Sequence, residues 1–383
     1  MKKLFILLSL AALPSLVFAE GLVLSGEAKT GVYWEKIENS FTPPIVNLKT
    51  HSQNDDAGNY EGRFRLNMEY LNNSGSLGFK VRIQWEDWQN EKQIPDVWPY
   101  AFGYGNFFDN QLTVSIGKLG GSPWGTGGPE MWKELEATRG GGMRVEWKPA
   151  FIPAQYGKLN IGIVINGPEA YTDAGFTREP TFFDYLQESV IGVAYTHPLF
   201  MARFAYRLDS EMDRRVRGPE DKEGDDLVYR VEEHFLEKVV PGLSLWALGY
   251  ITGVGADKTE YVEHKNWAFI QYKLTDFTAQ LRFGFEGSSD RSVIFARPSF
   301  YYKFIDGLLE AGGLFGIAQD FGNGKIYTDS PFSFIELVPK IQINFAQGAY
   351  AAFEYYWKLE YAYTTPPPLK QTQWINLRLG INF

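Results

Sequence analysis

The chain has 383 residues, no cysteine and a formal net charge of −9. That balance argues against a nucleic-acid partner, and without cysteine the fold has no disulfides to hold it. Aromatics make up 16% of the residues and there are 39 glycines. No Pro/Ser linker, composition break or low-complexity block divides the chain, so one large sheet-built unit is expected.

Met1-Lys2-Lys3 is a short basic start, followed by an apolar run from Leu4 to Phe18. Val17-Phe18-Ala19 precedes Glu20 in the manner of a cleavage site. Residues 1–19 therefore read as a secretory signal peptide, leaving 20–383 as the mature protein. The run is too short to cross a bilayer as a helix, which takes about 20 apolar residues. With no cysteine at the cut, a lipoprotein-type anchor is unavailable. Further along, charged or amide residues interrupt every apolar stretch. The only membrane-spanning form left to such a chain is a closed barrel.

Period-two alternation dominates the rest. Tyr60, Gly62, Phe64, Leu66, Met68 and Tyr70 fall on one face of a strand, with Glu61, Arg63, Arg65, Asn67 and Glu69 on the other. Asn72-Asn73-Ser74-Gly75 reads as a hairpin turn. The next strand sets Leu77, Phe79, Val81, Ile83 and Trp85 against Lys80, Arg82, Gln84 and Glu86. The pattern returns at 200–209, 277–286, 335–344 and 353–360. These runs of about 9–13 residues suit tilted membrane-spanning strands, whereas soluble strands average about 5–6. Tryptophans are expected at the two membrane interfaces: Trp34, Trp85 and Trp357 near outer ends, Trp147 near an inner end.

Connections alternate in length. Short ones fall near 72–75, 107–110, 196–199, 275–276, 305–307 and 346–348. Long ones fall near 38–57, 87–97, 119–140, 167–186, 209–226, 253–264, 319–330 and 361–372. The connection at 287–291 is short although it lies on the long side. Short turns opposite long loops are the pattern of a transmembrane antiparallel β-barrel. The fold class is all-β, with about 18 strands. A count of 16 is the alternative, because Glu232-Glu233-His234 blurs the phase and 244–252 reads in either register.

The final strand alternates Ile375, Leu377, Leu379, Ile381 and Phe383 with Asn376, Arg378, Gly380 and Asn382. Here the sequence resembles the bacterial outer-membrane barrel families, whose last strand is amphipathic and ends in Phe. The overall plan looks like the general and sugar-specific porins, across the whole mature chain at the level of architecture. That resemblance implies an outer-membrane location, contact with outer-membrane lipid, and recognition of the last strand by the barrel-assembly machinery. It also implies a homotrimer and passive diffusion of small hydrophilic solutes through a water-filled lumen. No cofactor is implied.

On the inward face, pairing Leu71 with Ser76 sets Arg65 opposite Arg82 and Asn67 opposite Lys80. Like charges opposite one another weaken a ladder. The basic group Arg63, Arg65, Lys80 and Arg82 therefore reads either as a water-screened surface or as the positive wall of a constriction. In porins the third external loop folds into the lumen. By position, the Gly-rich segment about 119–140 corresponds to it, and its Glu130, Glu134 and Glu136 are candidates for the facing wall. Trp124 and Trp132 in the same segment read as loop packing or as rings that stack on sugars.

The charged loop at 209–226 reads as a solvated external loop. The four histidines, His51, His197, His234 and His264, lack metal-ligand spacing, and neither a Gly-x-Ser-x-Gly nor a phosphate loop is present. His234 is placed within a strand, pointing inward. No enzyme activity is expected. Two other roles stay open: a channel selective for sugars or organic acids, and a plugged barrel acting as a surface adhesin.

Overall fold

The computed structural model describes residues 21–39, 42–49, 63–86, 100–119, 141–166, 189–208, 225–255, 263–288, 291–321, 333–345, 348–361 and 369–382. Within them one antiparallel sheet closes on itself. Strands β3 (Arg63–Leu71) to β19 (Leu369–Asn382) each pair with their sequence neighbours, and β19 returns to β1 (Leu22–Asn39). Closure runs from Glu27 opposite Asn382 to Asn39 opposite Lys370.

The sheet holds 19 strand segments but is an 18-strand barrel. Strand β1 has 18 residues. Its first half pairs with β3, from Leu22 opposite Tyr70 to Lys29 opposite Arg63. Its second half pairs with β2 (Thr42–Lys49), from Tyr33 opposite Lys49 to Asn39 opposite Thr42. Segments β2 and β3 run the same way along the same flank of β1 and share one position in the wall. The long connection expected at 38–57 is thus partly a hairpin, because β1 and β2 continue the ladder beyond β3.

Strands β12 (Leu243–Val254) to β19 have 11 to 14 residues, as expected from the alternation. Strands β5 (Tyr100–Phe107), β6 (Leu112–Lys118), β7 (Gly141–Trp147), β9 (Val190–His197) and β10 (Phe200–Arg207) have only seven or eight. They are shorter than expected.

The ambiguous stretch after 225 resolves into β11 (Asp225–Glu233), a one-turn helix α1 (Phe235–Val239) and β12. His234 is the residue before that helix and not a strand residue. The strand count of 18 stands because the connection at 234–242 is a turn at the short-turn end. Among the described residues no helix is long and apolar enough to cross a membrane.

Alternation along the strands fixes the two faces. Outward positions are apolar and open: Phe204, Phe283, Phe285, Phe315, Leu337, Ile341, Phe353, Leu377 and Leu379 are all exposed. A closed barrel pairs its backbone groups and has no free sheet edge, so hydrocarbon is the solvent this surface fits. At the short-turn end Trp147 is exposed beside Phe151, with ring centroids 6.0 Å apart. Trp34 and Trp357 lie several residues short of the other strand ends, and the side chain of Trp85 lies outside the described residues.

Where a glycine faces an aromatic across the ladder, the ring lies over it. Tyr229 opposite Gly249 reaches on to Asn266 through its hydroxyl, at 2.5 Å. Tyr350 likewise stands opposite Gly380. A Cβ at Gly249 would lie 2.6 Å from the Tyr229 ring and 2.7 Å from the Lys265 carbonyl.

Candidate pore lining

The hairpin between β3 and β4 (Leu77–Glu86) sets the register of the basic group. Its loop is Asn73–Ser76, one residue further along than the sequence suggested. Asn72 N–H donates to the Leu77 carbonyl at 2.9 Å, closing the ladder there. The Asn72 carboxamide oxygen accepts from the N–H groups of Ser76 and Leu77, at 2.9 and 3.1 Å. Gly75 takes φ +71°, the left-handed turn position.

That turn slides the pairing by two residues. The same side chains stay inward, but their partners change. Arg65 stands opposite Gln84, Asn67 opposite Arg82, Glu69 opposite Lys80 and Arg63 opposite Glu86. The expected Arg65–Arg82 and Asn67–Lys80 pairings are therefore corrected. An asparagine that bonds the returning strand outweighs the simpler two-strand register.

Each described basic side chain of this group has a polar partner. Arg65 reaches Glu27 at 3.3 Å and donates to Gln84; Lys29 holds the same Glu27 at 2.6 Å. Arg82 donates to Asn67 at 2.7 Å and lies over the Tyr100 ring, 4.8 Å from its centroid. Lys80 pairs with Glu69 at 2.7 Å. The side chain of Arg63 lies outside the described residues, as do Glu130, Glu134, Glu136, Trp124 and Trp132. The structure thus brings Arg65, Lys80 and Arg82 to one patch of inner wall.

A second ionic network, not singled out from the sequence, covers the inner face from β13 (Glu263–Lys273) to β19. Arg297 meets the buried Glu336 at 2.7 Å, and Arg378 meets the buried Glu354 at 2.9 Å. Lys358 and Lys370 share Glu360, at 2.9 and 3.2 Å. Lys340 approaches Glu310 at 3.6 Å. Alternation marked these residues as inward. Their partnerships depended on cross-strand registers that no sequence period reveals.

Aromatic rings lie beneath many of these cations. Arg282 lies 5.2 Å from the Trp267 ring centroid and 5.9 Å from that of Phe295. Arg297 lies 5.8 Å from Phe295 and 5.1 Å from Phe334, and Lys358 lies 4.7 Å from Phe334. Trp267 donates its indole N–H to Glu286 at 2.8 Å. Cation–aromatic attraction of this kind is worth about 0.5–2 kcal/mol each.

The inner face is not charged throughout. Inward positions on β8 (Lys158–Asn166) to β12 include the fully buried Val164, Val190, Ala205, Val228 and Leu248. They join Leu119, Trp267, Phe269, Phe295 and Phe334 in one apolar cluster. On β10 and β11 they lie between inward charges such as Arg203, Arg207 and Arg230, and on β8 and β12 the inner face carries few charges, so alternation did not single them out. The lining is therefore ionic from β13 to β19 and mixed on β8 to β12, where the buried apolar side chains share the inner face with Arg203, Arg207 and Arg230.

Among the described residues, no group of three or more His, Cys, Asp or Glu is placed to hold a metal ion. His197 packs between Tyr195 and Phe200, and His264 packs against Phe285.

No protein-family model matches the chain, and no curated protein matches it in sequence. Among solved structures, two variants of the Rhodopseudomonas blastica porin align with 94% of this chain and 100% of theirs, at 13% identity and a TM-score of 0.47. A loop-deletion variant of OmpT, an outer membrane protein of Vibrio cholerae, aligns over 94% of this chain and 98% of its own. Its identity is 11% and its TM-score 0.43. Strand pairing within this chain, not these likenesses, carries the reading that follows.

Proposed function

We propose that this protein is a non-enzymatic outer-membrane channel for passive diffusion of small hydrophilic solutes and ions. One observation carries the reading: a closed barrel whose outer face is apolar and exposed while its inner face holds ion pairs such as Arg65–Glu27 and Lys340–Glu310. Hydrocarbon suits the first surface and water the second. Barrels of this strand number are wide enough for an aqueous path, and charged groups lining such a path set its selectivity.

The constriction is proposed to lie between the basic patch of Arg63, Arg65, Lys80 and Arg82 and the segment about 119–140. What supports its inward course is Leu119, the last described residue before it. Leu119 is buried and belongs to the inner cluster with Val164 and Val190. In this reading Glu130, Glu134 and Glu136 face the arginines.

Planar-bilayer recording of the refolded protein tests the function. Stable, stepwise single-channel current is the expected result. A folded, membrane-inserted protein that passes no current would replace the channel with a plugged barrel.

A further inference from the structure

Resting on the channel reading, a second question is which ions such a wall would pass. The chain as a whole is acidic, with a net charge of −9. What a solute meets is the outermost layer of the lining, and there the order of charge is reversed. Arg297 is 19% exposed and its partner Glu336 only 3%. Arg378 and Glu354 stand at 16% and 4%, and Lys370 and Glu360 at 43% and 10%. The same order holds for Arg65 and Lys29 over Glu27. Lys80–Glu69 reverses it, at the turn end of the wall.

The cause is side-chain length. Glutamate carboxylates stay near the strand they grow from, whereas arginine and lysine carry their charge further out; the Arg297 guanidinium and the Lys358 ammonium reach over the rings of Phe295 and Phe334. Each pair is then a dipole whose positive end points at the water. Electrostatic screening acts over about 8 Å at physiological ionic strength. The paired charges lie well within that length, so a solute feels mainly the outward positive end of the dipole, and only when it is close to the wall.

A second observation agrees. On the inner face Arg282 stands directly opposite Arg297, and Arg203 directly opposite Arg230. Opposed like charges cost stability in a ladder. Here neighbouring rings and carboxylates offset that cost, so two cations stand side by side at two places on one face.

We propose that the lumen wall is a cation-over-aromatic layer that makes the channel select small anions over cations, with Arg282 and Arg297 as its selectivity-determining residues. Guanidinium N–H groups offer charge-assisted hydrogen bonds to chloride, carboxylate or phosphate oxygens. The buried carboxylates orient the cations and stay out of the solute's reach.

The test is the reversal potential of the refolded protein in a potassium chloride gradient across a planar bilayer. The expected sign is that of chloride passing faster than potassium. In Arg282→Gln/Arg297→Gln the potential should shift toward zero. Should that double variant fail to fold, Lys265→Gln carries the same expectation, since Lys265 is more exposed and pairs with Glu286 at 3.7 Å. A potassium-selective wild type, or a chloride preference unmoved by these variants, overturns the assignment and leaves the channel standing. An inserted protein without current overturns the channel itself.

Discussion

Arg282 and Arg297 face each other across adjacent strands, and both guanidinium groups lie within 6 Å of one ring, that of Phe295. Two like charges in that register repel. The shared ring and the carboxylate of Glu336 at 2.7 Å from Arg297 offset the repulsion. Arg282 also has Trp267 beneath it. The inner wall is thus a stack of carboxylate, ring and cation.

Removing the carboxylate should expose the strain. Glu336→Gln takes the counter-charge from Arg297 while keeping the shape of the side chain. A loss of about 2 kcal/mol is expected, in the range for hydrogen bonds to charged groups. Equilibrium urea unfolding in detergent micelles or lipid vesicles measures it. An unchanged midpoint would mean that Glu336 does not hold Arg297 in place.

Arg65 and Arg82 line the other basic patch. Neutralising both, as Arg65→Gln/Arg82→Gln, should lower the chloride-to-potassium permeability ratio without closing the pore. Each side chain has a neutral partner, Gln84 or Asn67, that a glutamine still bonds. A reversal potential identical to wild type would remove this patch from the permeation path.

The β3–β4 register depends on one carboxamide. Asn72→Ala deletes its bonds to the N–H groups of Ser76 and Leu77. The barrel should lose about 1–2 kcal/mol and refold more slowly, because the hairpin is then free to sample the register two residues away. Urea titration and refolding kinetics followed by tryptophan fluorescence check both effects. No change in either would assign the register to the strands alone.

On the outer face, Leu377 is exposed and its neighbour Arg378 points inward. Leu377→Arg should cost about 2–4 kcal/mol if the position sits at the middle of the bilayer. Leu377→Phe should be close to neutral. Vesicle-based unfolding of the two variants side by side gives the comparison. Equal stabilities would show that this face does not meet lipid.

Much of the architecture was legible in the residues themselves. In Phe64-Arg65-Leu66-Asn67-Met68 each step flips the side chain to the other face, so one pattern announces strand, sidedness and medium together. By that rule Arg65, Lys80 and Arg82 share the face opposite Phe64, Leu66 and Met68, and the β3–β4 register keeps them on one side. Around 244–252 both faces carry apolar residues, and the rule had no contrast to work with. Leu248 and Tyr250 are inward and buried there, a fact that became visible only from their pairing with Trp267 and Lys265.

By itself, the order of amino acids determined that this chain forms long alternating strands with one greasy and one ionic side, because the pleat converts a period of two into two opposite surfaces. Which charges meet was decided only in three dimensions. Register is set by turn bonds such as those of Asn72, and a slide of two residues preserves every face while replacing every partner. The depth of each charge was decided there as well: a cation travels across a neighbouring ring that is close in space and distant along the chain.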